Sequence, residues 1–167
     1  IVNVPQPVIA EVDGVATAAG CQLVASCDLA IASHESKFAT PGVNLGLFCS
    51  TPMVALSRNV NKKNAMEMLL TGDFISAEKA KEIGLINNAV SKDKLTSEVV
   101  GLAEKIASKS TMTVATGKKA FYAQAEMDLS KAYQYTSKTM TDNLLKHDAK
   151  EGIDAFIEKR SPNWKDQ

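Results

Sequence analysis

A turn built from very small residues, set between an apolar strand and an amphipathic helix, constrains this chain more than any other feature. Residues 7–28 read PVIAEVDGVATAAGCQLVASCD, and the stretch from Ala16 to Gly20 carries almost no side-chain bulk where the helix would begin. Free N–H groups at the start of a helix bind anions, and two of them aimed at one carbonyl form an oxyanion hole. The residue types alone favour the simpler interpretation, tight packing of helix on strand.

Short apolar runs on both sides of this helix predict buried strands. The runs cover residues 8–12 and 29–32, and turn residues bound each of them, as is typical of buried strands. One short helix between two strands is the unit from which parallel sheets are built. Residues 33–52 are irregular and interrupted by Pro and Gly, which is typical of loops that line sites.

Beyond Pro52 the chain is predicted to be almost entirely helical, with one strand at about residues 86–90. Apolar residues recur at helical spacing in three sets: Leu95, Val99, Leu102, Ala103 and Ile106; Leu129, Ala132, Tyr133, Thr136 and Met140; Ala149, Ile153, Phe156 and Ile157. Ser76 is a predicted N-cap and Gly84 a predicted helix end. Asp148 and Glu151 are spaced as a capping box. The fold class is therefore α/β, with a helical C-terminal region.

Composition excludes several classes of partner. Nineteen basic residues balance nineteen acidic ones, so no net field attracts nucleic acid or anionic lipid. No apolar run approaches the length of a membrane-spanning helix. The three cysteines, Cys21, Cys27 and Cys49, are odd in number and lack metal-ligand spacing. They favour reduced thiols in an intracellular compartment, and no metal site is expected.

A series of short motifs runs in register from one end of the chain to the other. They are Pro7-Val8-Ile9-Ala10, Asp13-Gly14, Ala18-Ala19-Gly20, Cys21-Gln22-Leu23, Cys27-Asp28, Phe38-Ala39-Thr40-Pro41, Asn44-Leu45-Gly46, residues 65–72, Ile75-Ser76-Ala77, Gly84-Leu85, Glu151-Gly152, Ala155-Phe156 and Glu158-Lys159-Arg160. Together they resemble the signature of the enoyl-CoA hydratase/isomerase family, also called the crotonase family. This resemblance covers the whole chain and is more specific for the fold than for the reaction.

The resemblance implies a crotonase-like (ClpP/crotonase) ββα spiral core with an α-helical C-terminal oligomerisation region. Residues 1–92 would form the C-terminal part of the spiral core, and residues 93–167 the helical region. The first residue is Ile1 rather than Met, and the first third of the family fold is not represented. The sequence therefore resembles the C-terminal part of a longer protein. In the family, the missing part supplies the other oxyanion-hole N–H and much of the coenzyme A cradle.

The family's two catalytic glutamates are both replaced in this chain. One stands in the first turn after the glycine-rich step, and the other follows the Phe-Ala-x-Pro motif. The matching positions are Gln22 and Gly42, which have no group that exchanges a proton near neutral pH. Hydration needs such a group to add water across the double bond. Ordinary hydratase activity should therefore be very weak or missing.

The oxyanion hole is implied at Ala19 and Gly20, although alanines replace two of the family's three glycines. An alanine N–H donates as well as a glycine N–H unless the turn needs a positive φ. The loop that would face the acyl group carries Asn44, Cys49, Ser50 and Thr51. It also differs from the family, because Cys49-Ser50-Thr51-Pro52-Met53 stands in place of Pro-Gly-x-Gly-Gly.

Other chemical groups are weaker candidates for catalysis. Asp28 is more typical of a cap or salt bridge, and Glu11 of an edge or paired residue. Cys49 has no local histidine to activate it. The two histidines, His34 and His147, are predicted to lie on the surface.

The coenzyme side resembles the family more closely. Phe156 and Lys159 match an aromatic and a lysine on the last helix, which in the family contact coenzyme A, usually from a neighbouring subunit. Three residues apart, they share one helix face. The alternative places Phe156 in the core and Lys159 in solvent. The family also implies a homotrimer or a dimer of trimers, and methionines at 66, 68, 112, 127 and 140 suit irregular interfaces.

Three functional hypotheses remain. The first is an acyl-CoA enzyme that works without the hydratase glutamates, and the second is a non-catalytic acyl-CoA-binding or regulatory protein of fatty acid metabolism. The third is a structural domain that shares only ancestry. The ligand would be a coenzyme A thioester, with no tightly bound cofactor. The family implies mitochondria for a eukaryotic protein and cytoplasm for a bacterial one, and the chain does not decide between them.

Overall fold

The computed structural model describes residues Ile1–Gln167 and contains six short strands and eight α-helices. The strands are β1 (Ile9–Val12), β2 (Val15–Thr17), β3 (Leu29–Ser33), β4 (Lys37–Ala39), β5 (Ile75–Ser76) and β6 (Asn88–Val90). The helices are α1 (Ala19–Ser26), α2 (Ser50–Asn59), α3 (Lys62–Thr71), α4 (Ala77–Glu82), α5 (Lys92–Ala107), α6 (Thr111–Ala125), α7 (Leu129–Leu144) and α8 (His147–Ile157), with a 3-10 helix at Pro41–Leu45.

The chain divides into two compact units. The first unit comprises Ile1 and Val8–Ala103, and the second comprises Val2–Pro7 and Glu104–Gln167. All six strands therefore belong to the first unit, which also holds α1 to α4. The second unit is helical and contains α6, α7 and α8.

Two three-stranded sheets form the first unit. One has the order β1-β3-β6 and is parallel throughout, with Ile9 opposite Leu29 and Ile31 opposite Asn88. The other has the order β2-β4-β5, in which β2 and β4 are parallel and β5 is antiparallel. The chain thus passes from β1 in one sheet to β2 in the other before α1 and β3. The predicted parallel strand pair around one helix is confirmed, and β2, β4 and β5 are strands that were not predicted.

Helices α1 and α2 pack against each other over the core of this unit. The core holds large side chains that are essentially inaccessible to solvent: Phe38, Leu56 and Leu69, each at most 1% exposed. Small buried residues such as Ala32 and Ala77 allow the strands and helices to approach closely. Helix α1, whose first turn carries the candidate oxyanion hole, therefore packs against a well-filled core.

Two of the predicted helix boundaries are confirmed and one is wrong. The side chain of Ser76 accepts a hydrogen bond from the N–H of Lys79, as an N-cap does. Gly84 follows α4 with φ +83°, a conformation that glycine adopts without strain. Helix α8, however, is capped at Lys146, so Asp148 is not its N-cap. The carboxylate of Asp148 is buried and binds the C-terminal tail instead, accepting from the N–H groups of Lys165 and Asp166.

The apolar faces predicted for the C-terminal helices are only partly buried. Leu95 and Ala132 are buried, whereas several larger members of the same sets are exposed: Leu129 (75%), Tyr133 (67%), Met140 (69%), Phe156 (84%) and Ile157 (70%). Phe156 therefore does not belong to the core. None of the helices is both long enough and apolar enough to cross a membrane.

Candidate functional site

The small-residue turn adopts a strained backbone at Ala18. This residue has φ +47° and ψ −112°, outside the regions that residues with a Cβ normally occupy. The conformation is fixed on both sides, because the Ala18 N–H donates to the carbonyl of Ala39 at 3.0 Å and its carbonyl accepts from Gln22 N–H at 3.0 Å. The turn thus needs a positive φ at Ala18, the condition under which alanine is a poorer choice than glycine. Ala19, the proposed oxyanion donor, is not among the residues with positive φ.

Helix α1 begins at Ala19 with unused N–H groups. The first hydrogen bond of the helix is donated by Gln22, and no acceptor in the chain takes the N–H of Ala19 or Gly20. Ala19 is exposed and Gly20 is half-buried. These donors are therefore available to a carbonyl or anion from outside the chain.

Gln22 lies one turn from these donors and is uncharged. It is half-buried, and its side-chain amide makes no hydrogen bond within the chain. Its backbone carbonyl accepts from the hydroxyl of Ser26 at 2.8 Å. An amide can donate to or accept from a ligand, but it does not transfer a proton near neutral pH.

Gly42 lies inside a tightly folded loop. Its N–H donates to the Sγ atom of Cys49 at 3.3 Å, and its carbonyl accepts from the N–H of Leu47 at 2.9 Å. A Cβ atom at this position would lie 2.6 Å from the Leu47 carbonyl oxygen and 2.9 Å from Cys49 Sγ. Position 42 therefore has no free space for any side chain.

The remaining loop residues face different surroundings. The side-chain nitrogen of Asn44 would lie 2.9 Å from a Cβ at Gly72, so Asn44 packs against the end of α3. Ser50 is exposed, and its hydroxyl donates to the Phe48 carbonyl at 3.3 Å. Thr51 is exposed in the first turn of α2.

Two thiols lie buried beside this loop. Cys49 occupies the N-cap position of α2 without a side-chain hydrogen bond to the helix, and Cys21 lies in the first turn of α1 with 1% exposure. Burial, with a smaller effect of Cys49, raises the pKa of the Cys21 thiol to about 11. Cys21 is therefore a protonated thiol at neutral pH and a poor nucleophile.

The alternative catalytic groups considered from the sequence have structural roles. The carboxylate of Asp28 accepts from the N–H of Val8 at 2.7 Å, and that of Glu11 accepts from the Thr96 hydroxyl at 2.6 Å. His34 and His147 are exposed, as predicted, and each lies beside a carboxylate, Glu78 and Asp148 respectively. No group of three or more His, Cys, Asp or Glu side chains is arranged to hold a metal ion.

Sequence reasoning missed Thr40, the residue between the buried strand β4 and Pro41. Its side chain is inaccessible to solvent, yet its hydroxyl has no hydrogen-bond partner. A buried hydroxyl without a partner is uncommon. The sequence carries no signal for it, because threonine at the end of a strand is ordinary.

In the second unit, Phe156 lies in the last turn of α8, whereas Lys159 lies beyond the C-cap Glu158, so the predicted shared helix face of these two residues is wrong. Phe156 is 84% exposed, and Lys159 is exposed with φ +55°. The N–H of Arg160 donates to the Ala155 carbonyl at 3.0 Å, so Lys159 occupies the left-handed position at which glycine usually ends a helix. The Arg160 guanidinium pairs with both oxygens of Glu151 at 2.6 and 3.0 Å and thereby anchors this helix end.

Comparison with known proteins gives matches along the whole chain. The model of the family described as "Enoyl-CoA hydratase/isomerase" matches residues 1–167. The rat protein "Enoyl-CoA hydratase domain-containing protein 3, mitochondrial" is 57% identical over 162 residues, 97% of this chain and 54% of the relative. The crystal structure of an enoyl-CoA hydratase from Mycobacterium smegmatis has a TM-score of 0.96 at 52% identity, covering 98% of this chain and 64% of that one. Human enoyl Coenzyme A hydratase domain-containing protein 3 has a TM-score of 0.95 at 57% identity, covering 98% and 65%.

The chain spans about half the length of the curated relatives it matches. The structural agreement extends over nearly all of this chain, and it confirms the crotonase-like fold that the motifs predicted. With a family match over its full length and relatives above 50% identity, the chain belongs to the enoyl-CoA hydratase/isomerase family.

Proposed function

We propose that this protein binds acyl-CoA thioesters, holding the thioester carbonyl against the N–H of Ala19, and that it does not perform ordinary enoyl-CoA hydration. The observation that carries the proposal is that Ala19, an exposed residue at the start of α1, has an N–H for which the chain supplies no acceptor. A thioester carbonyl is an acceptor that such a donor suits. Gly20 contributes the neighbouring N–H.

The absence of hydration follows from the two positions that carry glutamates in the family. Gln22 is next to the donors but does not titrate, and Gly42 has no side chain. Hydration needs one group to take a proton from water and another to deliver one to carbon, each contributing roughly 10²–10⁴-fold. The buried thiol of Cys21 does not replace them, because its pKa of about 11 keeps it protonated.

The coenzyme end of the ligand is proposed to contact Phe156 and Lys159 of a neighbouring subunit. An aromatic ring that is 84% exposed gains free energy when an adenine ring covers it, and an exposed ammonium suits a phosphate. The positive φ of Lys159 supports this role. Lysine is less stable than glycine in this backbone conformation, and strained residues of this kind are typical of functional sites.

The proposed assembly is a homotrimer or a pair of trimers. Its support is the exposed apolar surface on α7 and α8, since large exposed patches mark interaction sites. The proposed location is the mitochondrion for a eukaryotic protein and the cytoplasm for a bacterial one. Relatives whose names include "mitochondrial" support the first.

The test is binding and turnover of crotonyl-CoA by the full-length protein. We expect calorimetry to detect binding, while the absorbance of the enoyl thioester stays constant over time. Turnover of hydroxyacyl- or malonyl-type thioesters would instead favour an enzyme that uses the oxyanion donor with a different proton-transfer group. Rapid hydration of crotonyl-CoA would contradict the proposal.

A matched pair of proline variants tests the donor itself. Ala19→Pro removes one N–H at the first position of a helix, a position at which proline is common, and its ring also restricts the strained residue Ala18 before it. We expect crotonyl-CoA binding to weaken about three- to tenfold, the effect of one hydrogen bond. Lys62→Pro makes the same change at the first position of α3 and should leave binding unchanged. Both variants are compared only after circular dichroism shows wild-type helix content.

A further inference from the structure

We infer that Cys49 and Leu47 determine what position 42 can hold, and that they exclude an acidic side chain there. The inference rests on the proposed function, in which Gly42 replaces a catalytic glutamate. It adds that the packing of this loop leaves no room for a glutamate at position 42. Placing glutamate at both position 22 and position 42 would therefore not restore hydratase activity.

The first support is the space around Gly42. An added Cβ would meet the Leu47 carbonyl oxygen at 2.6 Å, Cys49 Sγ at 2.9 Å and Cys49 N at 3.3 Å. In proteins, Cβ atoms essentially never lie within 3.0 Å of a heavy atom that belongs to a residue other than a chain neighbour. Two of these three atoms belong to the backbone, which cannot rotate away as the end of a long side chain can.

The second support is that the loop is fastened to Gly42 itself. Leu47 N–H donates to the Gly42 carbonyl at 2.9 Å, and Gly42 N–H donates to Cys49 Sγ at 3.3 Å. Cys49 is buried, and its carbonyl accepts from Met53 N–H at 2.9 Å in the first turn of α2. Moving Leu47 and Cys49 away from position 42 therefore breaks the hydrogen bonds that define the loop.

The third support is that the 3-10 helix also packs closely against the end of α3. Gly72 ends α3 with φ +69°, and a Cβ there would lie 3.1 Å from Pro41 Cα and 3.1 Å from Val43 Cγ2. The 3-10 helix is thus in close contact with the end of α3 as well as with residues 47–49. A shift of its backbone to accommodate a side chain at position 42 would disturb both sets of contacts.

Alanine substitutions measure this exclusion without requiring a ligand. We expect Gly42→Ala to lower the thermal midpoint of the full-length protein by about 3–10 °C, as overpacking does. Gly101→Ala is the matched control, because a Cβ at Gly101 in α5 meets nothing within 4 Å. The control should leave the midpoint unchanged or raise it, since alanine is the better helix former.

The role of Cys49 is tested in a Cys49→Ala background, which removes the Sγ atom. There Gly42→Ala should cost a smaller shift of the midpoint than in the wild type, because one of the two shortest contacts is gone. This background also serves if the single variant Gly42→Ala does not fold. Equal losses in both backgrounds would overturn the role of Cys49, and a Gly42→Ala midpoint as high as that of Gly101→Ala would overturn the inference altogether.

The functional consequence is measured with Gln22→Glu/Gly42→Glu in the full-length protein. We expect no more crotonyl-CoA hydration than in the wild type, with a lower thermal midpoint that Cys49→Ala partly recovers. Hydration tenfold above the wild type would overturn the inference. Rapid hydration by the wild type would count against the proposed function instead, and it would leave the alanine comparison unaffected.

Discussion

Ala18 joins β2 to α1 through a conformation that favours glycine, with φ +47° and ψ −112°. Such a residue costs about 1–3 kcal/mol, and Ala18→Gly removes that cost while adding some flexibility to the unfolded chain. We therefore expect Ala18→Gly to raise the free energy of unfolding by about 1 kcal/mol, measured by urea denaturation.

The same substitution two residues earlier provides the comparison. Ala16 is buried in β2 and does not have a positive φ. Ala16→Gly should lower the free energy of unfolding by about 1–2 kcal/mol, because the folded protein loses a buried methyl group and the unfolded chain gains backbone entropy. If both substitutions destabilised the protein equally, the Ala18 turn would not be strained.

Lys159 combines a left-handed backbone with a proposed contact to coenzyme A, and the two can be separated. Lys159→Gly should raise the free energy of unfolding by about 0.5–1 kcal/mol. It should also weaken binding of coenzyme A to the full-length protein about three- to tenfold, through loss of a charge-assisted contact. Lys150→Gly, at an exposed position within α8, should destabilise by about 1 kcal/mol and leave binding unchanged. Unchanged binding in Lys159→Gly would remove Lys159 from the site.

At the candidate site, the sequence showed which residues are present but not how the surrounding residues pack against them. The order of the motifs places Gln22 and Gly42 at the positions of the family's two glutamates, because motifs that align in sequence occupy corresponding places in the fold. Nothing in the sequence indicated that Leu47 and Cys49 close the space around Gly42, because that packing depends on how residues 42–49 fold back. The positive φ of Ala18 was also hidden, since an alanine gives no sign of the conformation that a glycine would suggest.

At the scale of elements, the C-terminal tail is fastened to α8 by two carboxylates. Burial alone would raise the pKa of Asp148, but hydrogen bonds from Ser110, from the N–H groups of Lys165 and Asp166 and from His147 lower it to about 2. Hydrogen bonds from Arg160 and from the N–H of Asn163 lower the pKa of Glu151 to about 2 as well. Both groups are therefore ionised in the folded protein over most of the acid range.

A pKa that is lower in the folded than in the unfolded state stabilises the fold above the unfolded value. The ordinary values are 3.8 for Asp148 and 4.5 for Glu151, so their contribution is complete above about pH 5 and is lost as the pH falls to about 2. Trp164, the only tryptophan among these 167 residues, donates to the Ser108 carbonyl at 2.9 Å and reports on the tail. We expect its fluorescence to change within that window.

Asp148→Asn tests the assignment of this acid transition to the tail. The amide keeps an acceptor but loses the charge, so the tryptophan signal should already resemble the acid form near pH 5. Asp154→Asn, on the same helix, should leave the titration unchanged. A wild-type signal that stays constant from pH 5 to 2 would contradict the role of these carboxylates.

The elements were predictable where one physical cause dominates. The parallel pair β1 and β3 follows from two apolar runs around one helix, and the helical C-terminal region follows from repeated apolar spacing. The strands β2, β4 and β5 were missed because each has only two or three residues. Asp148 was misassigned as a cap because residues 165–167, which it binds, are distant in sequence from the start of α8.

At the scale of the whole molecule, the most informative feature is apolar surface left in solvent. On α7, Tyr133 and Met140 are 67% and 69% exposed and lie seven residues apart, hence on one helix face. Monomeric proteins rarely expose large contiguous apolar patches. The sequence pattern predicted an apolar face on α7, and in the single chain most of its large side chains are exposed.

If this face holds subunits together, placing charge on it separates them. Tyr133→Glu/Met140→Glu in the full-length protein should convert a trimer into monomers in light scattering coupled to size-exclusion chromatography, because each buried carboxylate would lack a partner. Gln134→Glu/Thr141→Glu adds the same charges one position further along α7, at exposed sites, and should leave the mass unchanged. A wild-type protein that is already monomeric, or a trimer that survives the first pair of substitutions, would show that this face has another role.

Phe156 lies on α8 of the same unit and is likewise open to solvent. Binding of coenzyme A should therefore be measured on the monomeric variant too. Weaker binding there would indicate that the coenzyme site needs a neighbouring subunit.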